Sequence, residues 1–170
     1  RDDLTQQLVE RLSEKVELQR FLAVIGPSGS GKSSVVKAGL LPALRKGAVD
    51  NSDEWSYVEM FPSTQPFEEL EAALLHVATE SLPNLMDTLQ SDARGLVRAV
   101  KQILPREDDS ELLIVSEQFE EIFTLVEVEE QRQLYLYILY QAVIDERCRI
   151  RLVVTLRADF CDKPLMYSGI

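Results

Sequence analysis

"VIGPSGSGKSS", residues 24–34, places glycines at 26, 29 and 31 directly after the apolar run Phe21 to Ile25, then follows them with Lys32, Ser33 and Ser34. The pattern G-x-x-x-x-G-K-[ST] is met in full by Gly26, Gly31, Lys32 and Ser33. A glycine-rich turn between a strand and a helix lets backbone N–H groups curl around a phosphate, and the helix N-terminus adds partial positive charge. The segment Gly26, Pro27, Ser28, Gly29, Ser30, Gly31, Lys32, Ser33 and Ser34 is therefore read as a polyphosphate cradle. In that reading Lys32 reaches the β- and γ-phosphates, and the Ser33 hydroxyl binds Mg2+. The competing reading is a tight turn capped by Ser33, with Lys32 simply solvated.

Outward from this loop the chain alternates between two periods. Before it, Leu4, Leu8, Leu12 and Val16 recur every four residues and predict a helix over 3–19. After it, Val35, Val36, Leu40, Leu41 and Leu44 predict a second helix, which Pro42 should kink or end near its last turn. "WSYVEMF" alternates, with Trp55 and Tyr57 on one face and Val58 and Met60 on the other, so a strand is predicted over 56–61. A helix beginning at Pro66 carries acids at 68, 69 and 71 near its start. Helical spacing also covers 85–104, with a break around 92–95, and "PREDDS" follows as a charged linker. "ELLIVSE" reads as a buried strand over 112–116, and "RIRLVVTLR" as another over 151–156. The helix between them, "QRQLYLYILYQAVIDE", is apolar nearly all round, which predicts cover on both of its faces. Strands alternating with helices define an α/β domain with a mainly parallel sheet.

The chain's 170 residues can build one domain with a substantial core. Its 18 Lys and Arg against 29 Asp and Glu leave a formal charge of -11, which opposes general nucleic-acid binding. Local backbone donors can still hold an anionic nucleotide. Two cysteines, Cys148 and Cys161, make neither a metal cluster nor a disulfide scaffold, which points to the cytoplasm. No run reaches membrane-spanning length and no signal-peptide pattern is present, so no membrane partner is expected. The chain opens on Arg1 rather than Met, so a piece of a longer protein is expected.

A phosphate loop requires a second acid at the end of a neighbouring strand, supporting magnesium. Glu117 stands just past the strand ending at Ser116, on the edge where parallel sheets bind ligands. Glu120 and Glu121 follow three and four residues later, so all three could share one helical face, where a cation would gather them. Either Glu120 or Glu121 could orient the attacking water; the alternative is that both are helix-start acids. Arg157, at the end of the last strand, suits a γ-phosphate contact, and its alternative is a structural ion pair with Asp159 or with Glu117, Glu120 or Glu121.

Four runs together, "RDDLTQQLVERL", "FLAVIGPSGSGKSSVVKAGLLPAL", "LLIVSEQFEEIFTL" and "VVTLRADFCDKPL", resemble the novel STAND NTPase 1 domain. STAND denotes signal transduction ATPases with numerous domains, within the AAA+/NACHT-like P-loop class. The resemblance implies a three-layer, ASCE-like P-loop NTPase domain over 1–170, with its N-terminal helix at 3–19 and its core at 20–170. By position, Gly26 to Ser33 match Walker A, Ile114 to Glu117 match the end of Walker B, and Arg157 matches a sensor arginine. The family usually has "DQFEE" where this chain has "EQFEE", so Glu117 keeps the charge and lengthens the arm. In that class the phosphate-loop strand lies between the fourth and fifth strands. With four strands predicted, the domain is expected to stop before the fifth strand and the helical lid. Weak nucleotide binding, and a Phe21 to Ile25 edge open to a second copy, are the expected consequences.

The resemblance further implies a bacterial regulator carrying an effector module on one side and WD40 or other repeats on the other. The expected function is an ATP- and Mg2+-dependent switch with slow hydrolysis. The alternative is a non-hydrolysing nucleotide-binding scaffold or protein-interaction domain. A small-molecule kinase would need a lid with clustered arginines, and guanine specificity an Asn-Lys-x-Asp segment; the sequence has neither.

Overall fold

A computed structural model of the protein describes residues 2–13, 20–104 and 110–160. Over them, β1 (Phe21–Gly26), β2 (Ser56–Met60), β3 (Leu112–Ser116) and β4 (Ile150–Arg157) form one sheet in the order β1-β4-β3-β2. Every pairing is parallel. The predicted strands are all present. The part of the expected first helix beyond residue 13, most of the charged linker (105–109), and Cys161 lie outside the described residues.

The alternation read from "WSYVEMF" divides the core into two layers. Val58 and Met60 join Leu112, Ile114, Leu152 and Val154 on one face. There the sheet is covered by α4 (Pro66–Val77), α5 (Leu85–Ser91), α6 (Gly95–Ile103) and α8 (Glu129–Ile144). Trp55 joins Leu113, Val115 and Val153 on the opposite face. That face is covered by α1 (Asp2–Ser13) and by the helical run that follows the glycine loop. Burying one large aliphatic side chain contributes about 1.5–3 kcal/mol, so these two interleaved sets are what hold the strands flat against the helices. The result is a three-layer α/β domain with β1 at the sheet's edge among the described residues.

A charged group, Arg151, is buried in the second layer. Arg151 follows the strand alternation onto that face, where its guanidinium lies 4.5 Å from the Trp55 ring centroid. Its Nε donates to Glu111 Oε1 at 3.0 Å, and its Nη1 donates to the Leu12 carbonyl at 2.7 Å. Each donor thus regains a partner on leaving water, as a buried charge requires.

Two helical expectations are modified. Pro42 neither ends nor breaks the helix after the loop. The run instead passes from α2 (Lys32–Ser34) through a π-helical segment (Val35–Leu40) into α3 (Leu41–Arg45). Leu41 N–H donates to Val36, five residues back. Widening the turn just before the proline accommodates a ring that would clash with the carbonyl four residues earlier. Gly39, within the π segment, lets α1 approach closely: a Cβ there would fall 2.2 Å from Thr5 Oγ1. In α8, both faces are not covered. Tyr135, Leu136, Ile138 and Leu139 are buried, yet Tyr137 and Ile144 remain exposed. The break predicted between α5 and α6 is present, and Asp92 there accepts from Arg94 N–H at 2.9 Å.

Candidate nucleotide site

The loop after β1 is closed on itself by its own backbone. Ser30 N–H donates to the Pro27 carbonyl at 3.1 Å, and Val35 N–H donates to the Gly31 carbonyl at 3.0 Å. Gly29 and Gly31 have φ of 76° and 87°, the left-handed region where a side chain is strained. That is why glycine stands at both positions. Lys32 folds back over the turn, its ammonium donating to the Gly26 carbonyl at 2.8 Å and the Pro27 carbonyl at 2.9 Å.

The second wall of the site comes from strand register. Ser116, the last residue of β3, aligns with Val154, so β4 continues past it and Arg157 aligns with Gly26 of β1. The overhang gives the chain leaving β3 something to bond. Gln118 N–H donates to Thr155 Oγ1 at 3.0 Å, and Phe119 N–H donates to the Thr155 carbonyl at 2.9 Å. Glu120 Oε1 accepts from Arg157 N–H at 3.0 Å. Between the walls lies a cavity of about 520 Å³, lined by Ser28 through Ser34 on one side and by Gln118, Glu120, Thr155 and Arg157 on the other.

The three glutamates do not share a helical face. Gln118 has φ 51°, a left-handed turn that breaks the helical path between Glu117 and Glu120, and α7 starts only at Glu121 (Glu121–Thr124). Each carboxylate therefore faces a different partner. Glu120 meets β4 as described, while Glu121 Oε1 accepts from Ser63 N–H at 3.0 Å. Glu117 is 2 % exposed, and its Oε2 lies 3.0 Å from the Lys37 ammonium. That oxygen has no hydrogen bond of good geometry. The Glu117 side chain and charge hold the Lys37 ammonium above the usual lysine pKa. Ser116 Oγ beside it is likewise buried without a partner.

Arg157 forms the ion pair weighed as its alternative while also lining the cavity. Its Nη2 and Nε donate to Asp159 Oδ2 and Oδ1 at 2.7 and 3.2 Å, and its guanidinium lies 5.2 Å from the Phe160 ring centroid. The paired arginine holds Asp159 below the usual carboxylate range. The expected residues brought together are thus Ser28 to Ser34, Glu120 and Arg157; Gly26 and Pro27 serve through the Lys32 contacts. Gln118 and Lys37 were not anticipated as site residues. Nothing in their residue types signalled a role, although Lys37 lies one helical turn beyond Ser33.

A parallel sheet whose first strand runs through a G-x-x-x-x-G-K-S loop into a helix, with acids past the end of β3, one strand removed from it, defines the P-loop NTPase class. The chain belongs to the Novel STAND NTPase 1 family, whose model matches residues 1–170. It is accordingly a nucleotide-binding regulatory domain of a family that works with nucleotide and with other domains. No curated protein matches the sequence. No helix among the described residues is long and apolar enough to cross a membrane.

Proposed function

We propose that this domain binds ATP with Mg2+ at Gly26 to Ser34, hydrolyses it slowly, and acts as a switch within a larger cytoplasmic signalling protein. The observation that carries the proposal is the cavity that sets the glycine loop opposite Glu120 and Arg157. Lys32 binds the phosphate chain by turning from loop carbonyls it already touches. Arg157, released from Asp159, adds a fork of donors to the terminal phosphate. Glu120, buried and fixed by the Arg157 amide, orients water for attack; Glu121, bonded to Ser63, is the weaker candidate.

The residues also fit a magnesium ion. Glu117 Oε2 is a buried oxygen lacking a hydrogen bond, and its cationic neighbour Lys37 is half exposed. Among the described residues no cluster of three or more His, Cys, Asp or Glu could hold a metal. Ser33 and Glu117 would supply one or two protein oxygens to such an ion, with phosphate and water completing its shell. When bound, it would neutralise phosphate charge. Order imposed on Ser63 and Arg157 by a terminal phosphate would be the signal passed to neighbouring domains.

The Glu117–Lys37 pair favours one second reading, a domain that binds nucleotide without turnover. Phosphate release by the wild-type chain and by Glu120→Gln separates the two. Slow release lost by roughly a hundredfold or more in the variant supports hydrolysis. Equal release from both proteins contradicts the role of Glu120, and none from either favours the second reading.

A further inference from the structure

Gln118 occupies a backbone position that glycine would fill at least cost, with φ 51° and no turn geometry that calls for its side chain. Residues kept in such conformations cluster where the side chain is used. Its amide N–H is anchored on Thr155 Oγ1, and the side chain lines the cavity opposite the loop. Glu120 and Arg157 on that wall are held by protein partners, while, among the described residues, Thr155 keeps its hydroxyl proton free to donate. Thr155 Oγ1 accepts from Gln118, Glu120 accepts from the Arg157 amide, and the Arg157 guanidinium forks onto Asp159. The Gln118 side chain is exposed on that wall, where its carboxamide can meet a ligand in the cavity.

We infer that the Gln118 carboxamide reads the terminal phosphate of a bound nucleoside triphosphate, so that this residue sets preference for triphosphate over diphosphate. The inference rests on the loop being the phosphate cradle. A phosphate chain seated in the loop extends its last phosphate towards the opposite wall, where Gln118 lies. Glu117 and Glu120 flank it in sequence, and ionised carboxylates only accept hydrogen bonds and would repel the anion. A neutral amide can donate to it. Losing a donor to a charged oxygen weakens binding by roughly tenfold or more.

The test is a calorimetric comparison of ADP with a non-hydrolysable ATP analogue, both with Mg2+, for the wild-type chain and for Gln118→Gly and Gln118→Asn. Glycine accepts the left-handed backbone, so Gln118→Gly keeps the fold and its thermal midpoint does not fall. The expected result is ADP affinity within about twofold of wild type and analogue affinity reduced about tenfold. The shorter amide of Gln118→Asn should fall in between. An unchanged analogue-to-ADP ratio in Gln118→Gly overturns the inference and leaves the phosphate loop standing. An equal loss for both nucleotides overturns it as well. Failure of the wild-type chain to bind either nucleotide overturns the loop reading and the inference together.

Discussion

The ammonium of Lys37 lies 3.0 Å from Oε2 of Glu117, a half-exposed cation closing over a carboxylate that is almost wholly buried. Removing one member of a fully buried pair costs about 3–5 kcal/mol, and exposed pairs contribute about 1 kcal/mol or less. Lys37→Met should therefore destabilise the chain by about 1–2 kcal/mol in urea unfolding, between those limits. The double variant with Glu117→Gln should recover most of the loss. The pH dependence has a definite sign. The folded Lys37 pKa is raised above the ordinary 10.5 by the Glu117 side chain and charge. Its contribution is fully present below that value and is lost as pH rises through the folded pKa. The stability gap between wild type and Lys37→Met should be level near neutral pH and shrink above 10.5.

Arg157 and Asp159 are both exposed, so their pair contributes little to stability yet competes with any anion for the guanidinium. Asp159→Asn should leave the urea midpoint unchanged and strengthen ATP binding roughly two- to fivefold, the equivalent of an exposed pair. Arg157→Ala should weaken ATP binding at equal stability. A fall in affinity on Asp159→Asn would show that the pair assists binding rather than restrains it.

Gly39, in the helical run after the loop, lies against Thr5 of α1. With a Cβ there only 2.2 Å from Thr5 Oγ1, Gly39→Ala must turn the Thr5 side chain or push α1 away. Overpacking of this kind costs about 1–3 kcal/mol. Thr5→Ala should restore most of it in the double variant, because the nearest atom has gone. Thermal melts of the single and double variants give the measurement, and equal midpoints for wild type and Gly39→Ala would refute the contact.

Much of the fold was legible because it rests on side-chain period. Trp55 and Tyr57 against Val58 and Met60 announced a strand with two buried faces, and they are divided between the two core layers. The glycines at 26, 29 and 31 announced a turn between strand and helix, and at 29 and 31 that turn takes the left-handed backbone that glycine adopts most cheaply. Where the sequence misled, tertiary context overrode a local rule. Glutamate spacing suggested one helical face, but a glutamine in a left-handed conformation carries no signal in its residue type. Pro42 suggested a kink or an end near the last turn, and the helix instead widens into a π segment before it and runs on to Arg45. Tyr137 is apolar enough to suggest burial and yet lies on the solvent side of α8. The cavity itself was half legible. Its loop wall is contiguous in sequence, whereas its far wall depends on β4 extending past β3, a register no local pattern reveals.

Calorimetric titration of the wild-type chain and Lys32→Ala with ATP and Mg2+ tests the phosphate cradle most directly. Lys32 now donates to the Gly26 and Pro27 carbonyls, poised over the loop it would share with phosphate. Charge-assisted bonds of that kind imply a loss of at least about tenfold in affinity when the ammonium is removed. Binding by wild type that is weakened to this extent in Lys32→Ala is the predicted result; equal affinities for the two proteins would contradict it.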